Sequence, residues 1–425
     1  MPRFSILIPT RNRPETLRAC IRTCLAQDFD DFEVIVSNNS DVLSEETRSV
    51  VAEAQSPKIR HVQPPRPLCM TDNWEFALSH ATGEYISVIG DDDGLSLFAL
   101  RELDRLIDLT STEVVSWTYA SYYWPNMPEQ FAHRISIPLS QSTSWTTGRS
   151  AISKVISFRR LYFALPTLYN SVVSRALISR IRQRKGRFFF SQCPDIYSGF
   201  AVASSVDKFI RSEIPFSVGG MSAKSNGFAT LSTGDNDVAS DFYSLNSRDG
   251  ISSHPATPSK HVLSAFVSDS FSRAKENLFP HNSSFRINSR DLLGACLREV
   301  NELPPAKASQ ALTDLSAFFA GDRLLISQID NARSKLLAAD SDTSPNQIKL
   351  HPKTFFDGEP LFLDGASFNV ADIYDASVLL ENLFGYRANG IDWPRLLNAN
   401  SLTHQARQLR RRISSRVSRL IHKYA

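Results

Sequence analysis

Strand and helix periods alternate along the first third of the chain. The run Phe4-Ser5-Ile6-Leu7-Ile8-Pro9 is apolar at nearly every position, the pattern of a strand buried on both faces. Pro14 suits the first turn of a helix, and Leu17, Ile21 and Leu25 keep a helical period after it. A second strand is predicted at 32–36, then a helix capped by Ser44 with Glu45 and Glu46 set against its dipole. A short strand at 59–63 leads through a Pro-rich bend to a helix with Trp74, Leu78 and Ala81 on one face. Thr71 or Asp72 is the expected cap. A further strand runs into Asp91. Repeated β-α units in this order predict an α/β fold, a mostly parallel sheet flanked by helices. The turns after Pro9, Val36 and Ile89 fall on the carboxyl edge, where such sheets bind ligands.

Beyond Gly94 a helix is predicted through Leu97, Leu100, Leu103 and Leu106, followed by a β-prone, aromatic stretch at 114–124. Residues 126–148 read as irregular and 151–165 as helical. Pro194-Asp195 opens another helix, and 214–218 reads as a strand. Residues 219–236, rich in Gly, Ser, Thr and Asn, read as a mobile loop and a candidate lid. From about residue 259 helical periodicity takes over, at 262–276, 289–302, 306–319, 321–338 and 370–384. The chain thus divides into a domain at 1–258 (halves meeting near 110), a helical region at 259–400 and a tail helix at 401–425. On that tail Leu402, Ala406, Leu409, Ile413, Val417 and Leu420 share a stripe flanked by arginines and no acid. Three roles stay open for 402–424: lying on an anionic membrane surface, pairing with a partner helix, or packing on its own domain.

At 425 residues the chain is too long for one ordinary core. With 42% hydrophobic and 21% charged residues it is globular, and a net charge of +3 does not point to nucleic acid. No apolar run approaches the roughly 18 residues that span a bilayer, and no signal-peptide core follows Met1. The five scattered cysteines fit a reducing compartment, so a cytoplasmic place is expected. Cys20 and Cys24 lack a partner at zinc spacing and read as buried thiols.

The stretch Ile86-Ser87-Val88-Ile89-Gly90-Asp91-Asp92-Asp93-Gly94 carries the chemistry. Three adjacent carboxylates repel one another, and a hard divalent cation, Mg²⁺ or Mn²⁺, would offset that cost. Side chains two apart on a strand share a face, so Asp91 and Asp93 are expected to converge on the ion while Asp92 points elsewhere. The plainer alternative is a polar turn that caps the following helix.

Three segments together resemble the inverting nucleotide-sugar glycosyltransferases of family 2, which have the GT-A fold. They are Ser5-Ile6-Leu7-Ile8-Pro9-Thr10-Arg11-Asn12-Arg13-Pro14, Phe32-Glu33-Val34-Ile35-Val36-Ser37-Asn38-Asn39-Ser40, and Gly83 through Asp93. The resemblance implies that Pro9, Thr10, Arg11, Asn12 and Arg13 lie along a nucleotide. It also implies that Asn38 and Asn39 read its base, with Asn38 where the family commonly has Asp. An amide can still bond uracil, and a UDP-sugar is the expected donor. The acids match the family's Asp-x-Asp, with Asp93 the expected direct metal ligand and Asp92 near the donor. Asp195 is the best positional match for the catalytic base, though it equally suits a first-turn acid favoured by the helix dipole. Lys224, on the predicted lid, is the candidate to reach the diphosphate.

The activity so implied is metal-dependent, inverting sugar transfer to a glycan or lipid-linked acceptor at the inner face of a membrane. Two other functions compete. A sugar-phosphate nucleotidyltransferase would want glycines after the first strand, and Thr10-Arg11-Asn12-Arg13-Pro14 has none. A non-catalytic glycan-binding or assembly protein would have no need of the acid cluster. Oligomeric state is open.

Overall fold

The computed structural model describes residues 1–225, 227, 237–340 and 360–397. Strand β1 (Phe4–Thr10) and β2 (Phe32–Asn38) are buried on both faces, as their apolar runs predict. Between them α1 (Pro14–Leu25) begins at Pro14 and buries Leu17, Cys20, Ile21 and Cys24. Then come α2 (Ser44–Glu53), β3 (Ile59–Val62), α3 (Met70–Ser79) and β4 (Tyr85–Val88). β3, β2, β1 and β4 pair in parallel, with Thr10 opposite Asn38 and Leu7 opposite Val88. That register brings the loops after β1, β2 and β4 to one edge.

The chain continues with β5 (Gly94–Leu95), α4 (Ala99–Thr110), β6 (Val114–Trp117), β7 (Ala120–Tyr123), β8 (Arg134–Ile137) and β9 (Thr143–Thr147). After α5 (Gly148–Ile156) and a 3-10 turn (Tyr162–Ala164) come β10 (Ser171–Ser174), α6 (Arg175–Gln183), α7 (Pro194–Ala203), β11 (Lys208–Ser212) and β12 (Ser217–Met221). The eight-stranded sheet runs β3-β2-β1-β4-β10-β6-β11-β9. β10 is antiparallel to both β4 and β6, so the sheet is parallel from β3 to β4 and mixed beyond.

Alternate residues of β1 and β2 serve opposite layers. Ile6, Ile8, Val34 and Val36 pack with α1 and α4, whereas Leu7 and Ile35 pack with α3, α5 and α7. The expected α/β class, a central sheet flanked by helices with further helices after it, is the class observed.

Those further helices are α8 (Asp237–Arg248), α9 (Leu263–Leu278), α10 (Ser289–Val300), α11 (Pro305–Phe318) and α12 (Arg323–Asp340). Leu292, Leu293, Leu312, Leu315 and Ile329 make a separate small core with Val262 and Ala265. The chain then returns as β13 (Leu361–Asp364), α13 (Ile373–Phe384) and two short helices, α14 (Tyr386–Asn389) and α15 (Trp393–Leu397). β13 closes a second sheet, β13-β8-β7-β12-β5. Ile373, Leu380 and Trp393 join the core of α1 and α4. Sequence patterning set all of 259–400 apart as helical, and this strand with its packing is the departure from that pattern. No helix among the described residues is long and apolar enough to cross a membrane. The tail at 402–424 lies outside the described residues, as does most of the predicted lid.

Several local expectations are corrected. Ser44 is the first residue of α2, whose cap position is Leu43. The thiol of Cys69 caps α3 by accepting from Asp72 N, while Thr71 Oγ1 is spent on Ser191 O. Residues 126–148 contain β8 and β9, whose short alternation sits within polar sequence. Helix 151–165 ends at Ile156, because Phe158 turns left-handed at φ 53°. The strand expected at 214–218 is shifted to Ser217–Met221, so Gly219 and Gly220 are strand residues and not lid.

Candidate active site

β4 stops at Val88, and Asp93 N donates to Gly90 O across a tight turn. The acids therefore sit on a turn, and the two-residue alternation of a strand does not govern them. Asp91 and Asp92 converge instead of Asp91 and Asp93. Arg13 Nη1 lies 3.1 Å from Asp91 Oδ1 and 3.5 Å from Asp92 Oδ2. Thr10 Oγ1 donates to Asp91 Oδ2 at 2.6 Å and Ser222 Oγ to Asp92 Oδ2 at 2.8 Å. Asp91 Oδ1 is fully buried and makes no hydrogen bond, its pairing with Arg13 being outside hydrogen-bond geometry.

Asp93 faces the other way. Gly90 N donates to its Oδ2 and Gly220 N to its Oδ1, each at 2.7 Å. The acid expected to be the direct metal ligand is thus saturated by protein donors. Burial raises the Asp93 pKa to about 7, with the neighbouring Asp92 charge adding to it. Burial likewise raises Asp91 to about 6, against the pull of Arg13. Burial opposes the Arg13 charge, but Asp91 and Asp92 outweigh it and hold that guanidinium above its ordinary value. One guanidinium set against two converging carboxylates leaves negative charge uncompensated when both ionise. With the bare Asp91 oxygen, this donor set fits a hard divalent cation.

Asp195 stands in the first turn of α7, partly exposed, with its pKa raised by burial and drawn back by Ile196 N–H and the Tyr162 hydroxyl. Burial raises the Tyr119 pKa, and the charges of Asp93 and Asp195 add to that. Lys224 is exposed and lines a small cleft with Arg13, Thr16 and Ser222. The remaining predicted residues are locked in place. Arg11 pairs with Asp41 and Asp241, and Asn12 bonds Asp41 and Leu43 N. Asn38 bonds Ser44 O, Ser40 N and the His61 ring. Asn39 spends its amide on Leu68 N and O. Pro9 sits within β1, opposite Ser37.

The family model described as glycosyl transferase family 2 matches residues 5–171. This stretch of the chain is similar to that family. Over 111 residues the chain is 34% identical to the GalNAc(5)-diNAcBac-PP-undecaprenol beta-1,3-glucosyltransferase of Campylobacter jejuni, covering 24% of this chain and 34% of that protein. It is 24% identical over 131 residues to the Escherichia coli UDP-Glc:alpha-D-GlcNAc-diphosphoundecaprenol beta-1,3-glucosyltransferase WfaP, covering 29% of this chain and 47% of that protein. The chain therefore spans about a third to a half of the length of these curated relatives. S. aureus TarS 1-349 in complex with UDP-GlcNAc is 15% identical, with a TM-score of 0.44 over 85% of this chain and 99% of that chain.

The acid turn is framed by residues that sequence reasoning missed. Gly220 lies so close to the acid turn that an added Cβ would meet Asp92 O at 1.7 Å. Trp124 Nε1 donates to that same carbonyl, and Cys20 Sγ reaches Gly90 O at 3.4 Å. The Gly219-Gly220 pair was a signal, since adjacent glycines in a strand mark a close backbone approach. Another group of potential ligands, Cys69, Asp72 and Asp249, does not fit a metal. Its carboxylates are already paired with Arg66, Arg248 and Arg187, and burial pushes the Cys69 thiol up to about 12.

Proposed function

We propose that this chain is a metal-dependent, inverting glycosyltransferase that moves a sugar from a nucleoside-diphosphate sugar to a hydroxyl of a lipid-linked glycan. The observation that carries this reading is the buried Asp91–Asp92 pair with its bare oxygen, on the carboxyl edge of a family 2 domain. Asp91 and Asp92 would hold Mn²⁺ or Mg²⁺, whose charge stabilises the departing diphosphate. The loops at 9–13 and 38–39 cradle the nucleotide, held rigid by their internal bonds. Arg13 and Lys224 supply positive charge beside the phosphates. Asp93 fixes the turn through Gly90 and Gly220. Asp195 takes the proton of the attacking hydroxyl, and attack from the face opposite the diphosphate inverts the anomeric carbon.

Both curated relatives described above are named for undecaprenol-diphosphate acceptors, and one for UDP-Glc, which supports a lipid-linked acceptor and a UDP-sugar donor. On this reading the protein works at the inner face of a membrane. A screen of UDP-, GDP- and dTDP-sugars with Mn²⁺ and a synthetic lipid-linked glycan tests it. Release of nucleoside diphosphate from one donor, increased by acceptor, is expected. No release from any of them overturns the proposal.

A further inference from the structure

A cavity of about 480 Å³ opens between α5, the 3-10 turn Tyr162–Ala164, α9 and α10. Its volume lies in the range of small-molecule sites. The lining is mostly apolar and includes Val155, Leu263, Val267, Ala295 and Leu303. Leu161 stays 67% exposed at the lip, an apolar side chain that the fold leaves in water. Phe158, also in the wall, holds a left-handed backbone at φ 53°, and such strain in a bulky residue clusters at ligand sites.

The rim is charged. Arg160 and Arg298 line it, both are exposed, and neither forms an ion pair among the described residues. Glu299 accepts from Ser264 N and Oγ at the start of α9. Glu302 is the other acid in the lining. The lining also includes Tyr162, whose hydroxyl favours the charged form of Asp195. Tyr162 thus connects the lining of a mostly apolar cavity, with two exposed arginines at its rim, to the proposed base.

We propose that this cavity seats the lipid end of the acceptor, an aliphatic chain against α9 and α10 with its phosphate-bearing head at Arg160 and Arg298. The inference rests on the reading of Asp195 as the base that receives the acceptor. It explains why apolar surface and two exposed arginines gather in the cavity that Tyr162 lines.

Calorimetric titration of decyl diphosphate into the full chain tests it without turnover, so its outcome is separate from that of the donor screen. Saturable binding is expected, weakened at least tenfold by Leu161→Asp and by Arg298→Glu. A UDP titration of the same preparations reports whether each variant is folded. Inorganic diphosphate binding as tightly as decyl diphosphate would overturn the aliphatic assignment. Equal binding of neutral decyl maltoside would overturn the anionic head. Binding of phosphatidylglycerol vesicles with the same dependence on Leu161 would reassign the cavity to a membrane lipid. Wild-type affinity in both variants would remove the site altogether.

Discussion

A carboxylate held by two backbone amides has little left to offer a ligand. Asp93 is in that position, bound by Gly90 N and Gly220 N, while Asp92 shares Arg13 with Asp91 and faces the cleft side. Asp93→Asn should therefore act mainly on stability, costing about 1–3 kcal/mol because a buried N–H loses its acceptor. Urea unfolding measures this; an unchanged midpoint would return Asp93 to the role of a ligand. Asp195→Asn should keep donor affinity and lower kcat by about 10²–10⁴-fold, the usual worth of general-base catalysis. Only ionised Asp195 can accept a proton, and burial raises its pKa. The acid limb of kcat/KM should therefore lie above the ordinary aspartate value of about 4. The Tyr162 hydroxyl stabilises the charged form, so Tyr162→Phe should move that limb to higher pH. A pH–rate profile with an unmoved limb would contradict the assignment.

At the scale of elements, the site depends on strands meeting at close quarters. Gly220→Ala in β12 would force a methyl group into Asp92 O, and a loss of about 1–3 kcal/mol together with most of the activity is expected. Asp249, at the end of α8, ties that helix to α3 by accepting from Cys69 N at 2.8 Å and pairing with Arg66 and Arg248. Burial works against its charge, but Arg248, Cys69 N–H and Arg66 outweigh it and lower its pKa to about 2. Its stabilisation is complete above the ordinary aspartate value and is lost as pH falls toward 2. Asp249→Ala should thus cost about 2 kcal/mol near neutrality, with the gap to wild type shrinking below pH about 4.

The β-α units of the nucleotide half were legible because each buried strand and amphipathic helix repeats its own period. The turn at 90–93 was misread as strand, since apolar residues lead straight into the acids and nothing local marks the bend except Gly90. β8, β9 and β13 were missed because short strands in polar sequence draw their stability from partners distant in the chain. Asp93's two amide donors come from Gly90 and from Gly220, 127 positions away, a juxtaposition that only tertiary structure supplies.

Across the whole molecule, the segment at 361–397 completes the layer that backs the acid turn. Trp393 is fully buried, with its ring 6.1 Å from that of Phe216, in the core shared by α1 and α4. Trp393→Ala should cost about 3–5 kcal/mol and lower the melting temperature of the nucleotide half along with its own segment. A near-ultraviolet melt showing two independent transitions would contradict that coupling. The central claim is that buried acids grip a cation to receive a nucleoside diphosphate. Calorimetric titration of UDP with and without Mn²⁺, into wild type and Asp92→Asn, tests it most directly. Metal should strengthen UDP binding at least tenfold in wild type and hardly at all in the variant, whereas equal binding with and without metal in wild type would contradict the account.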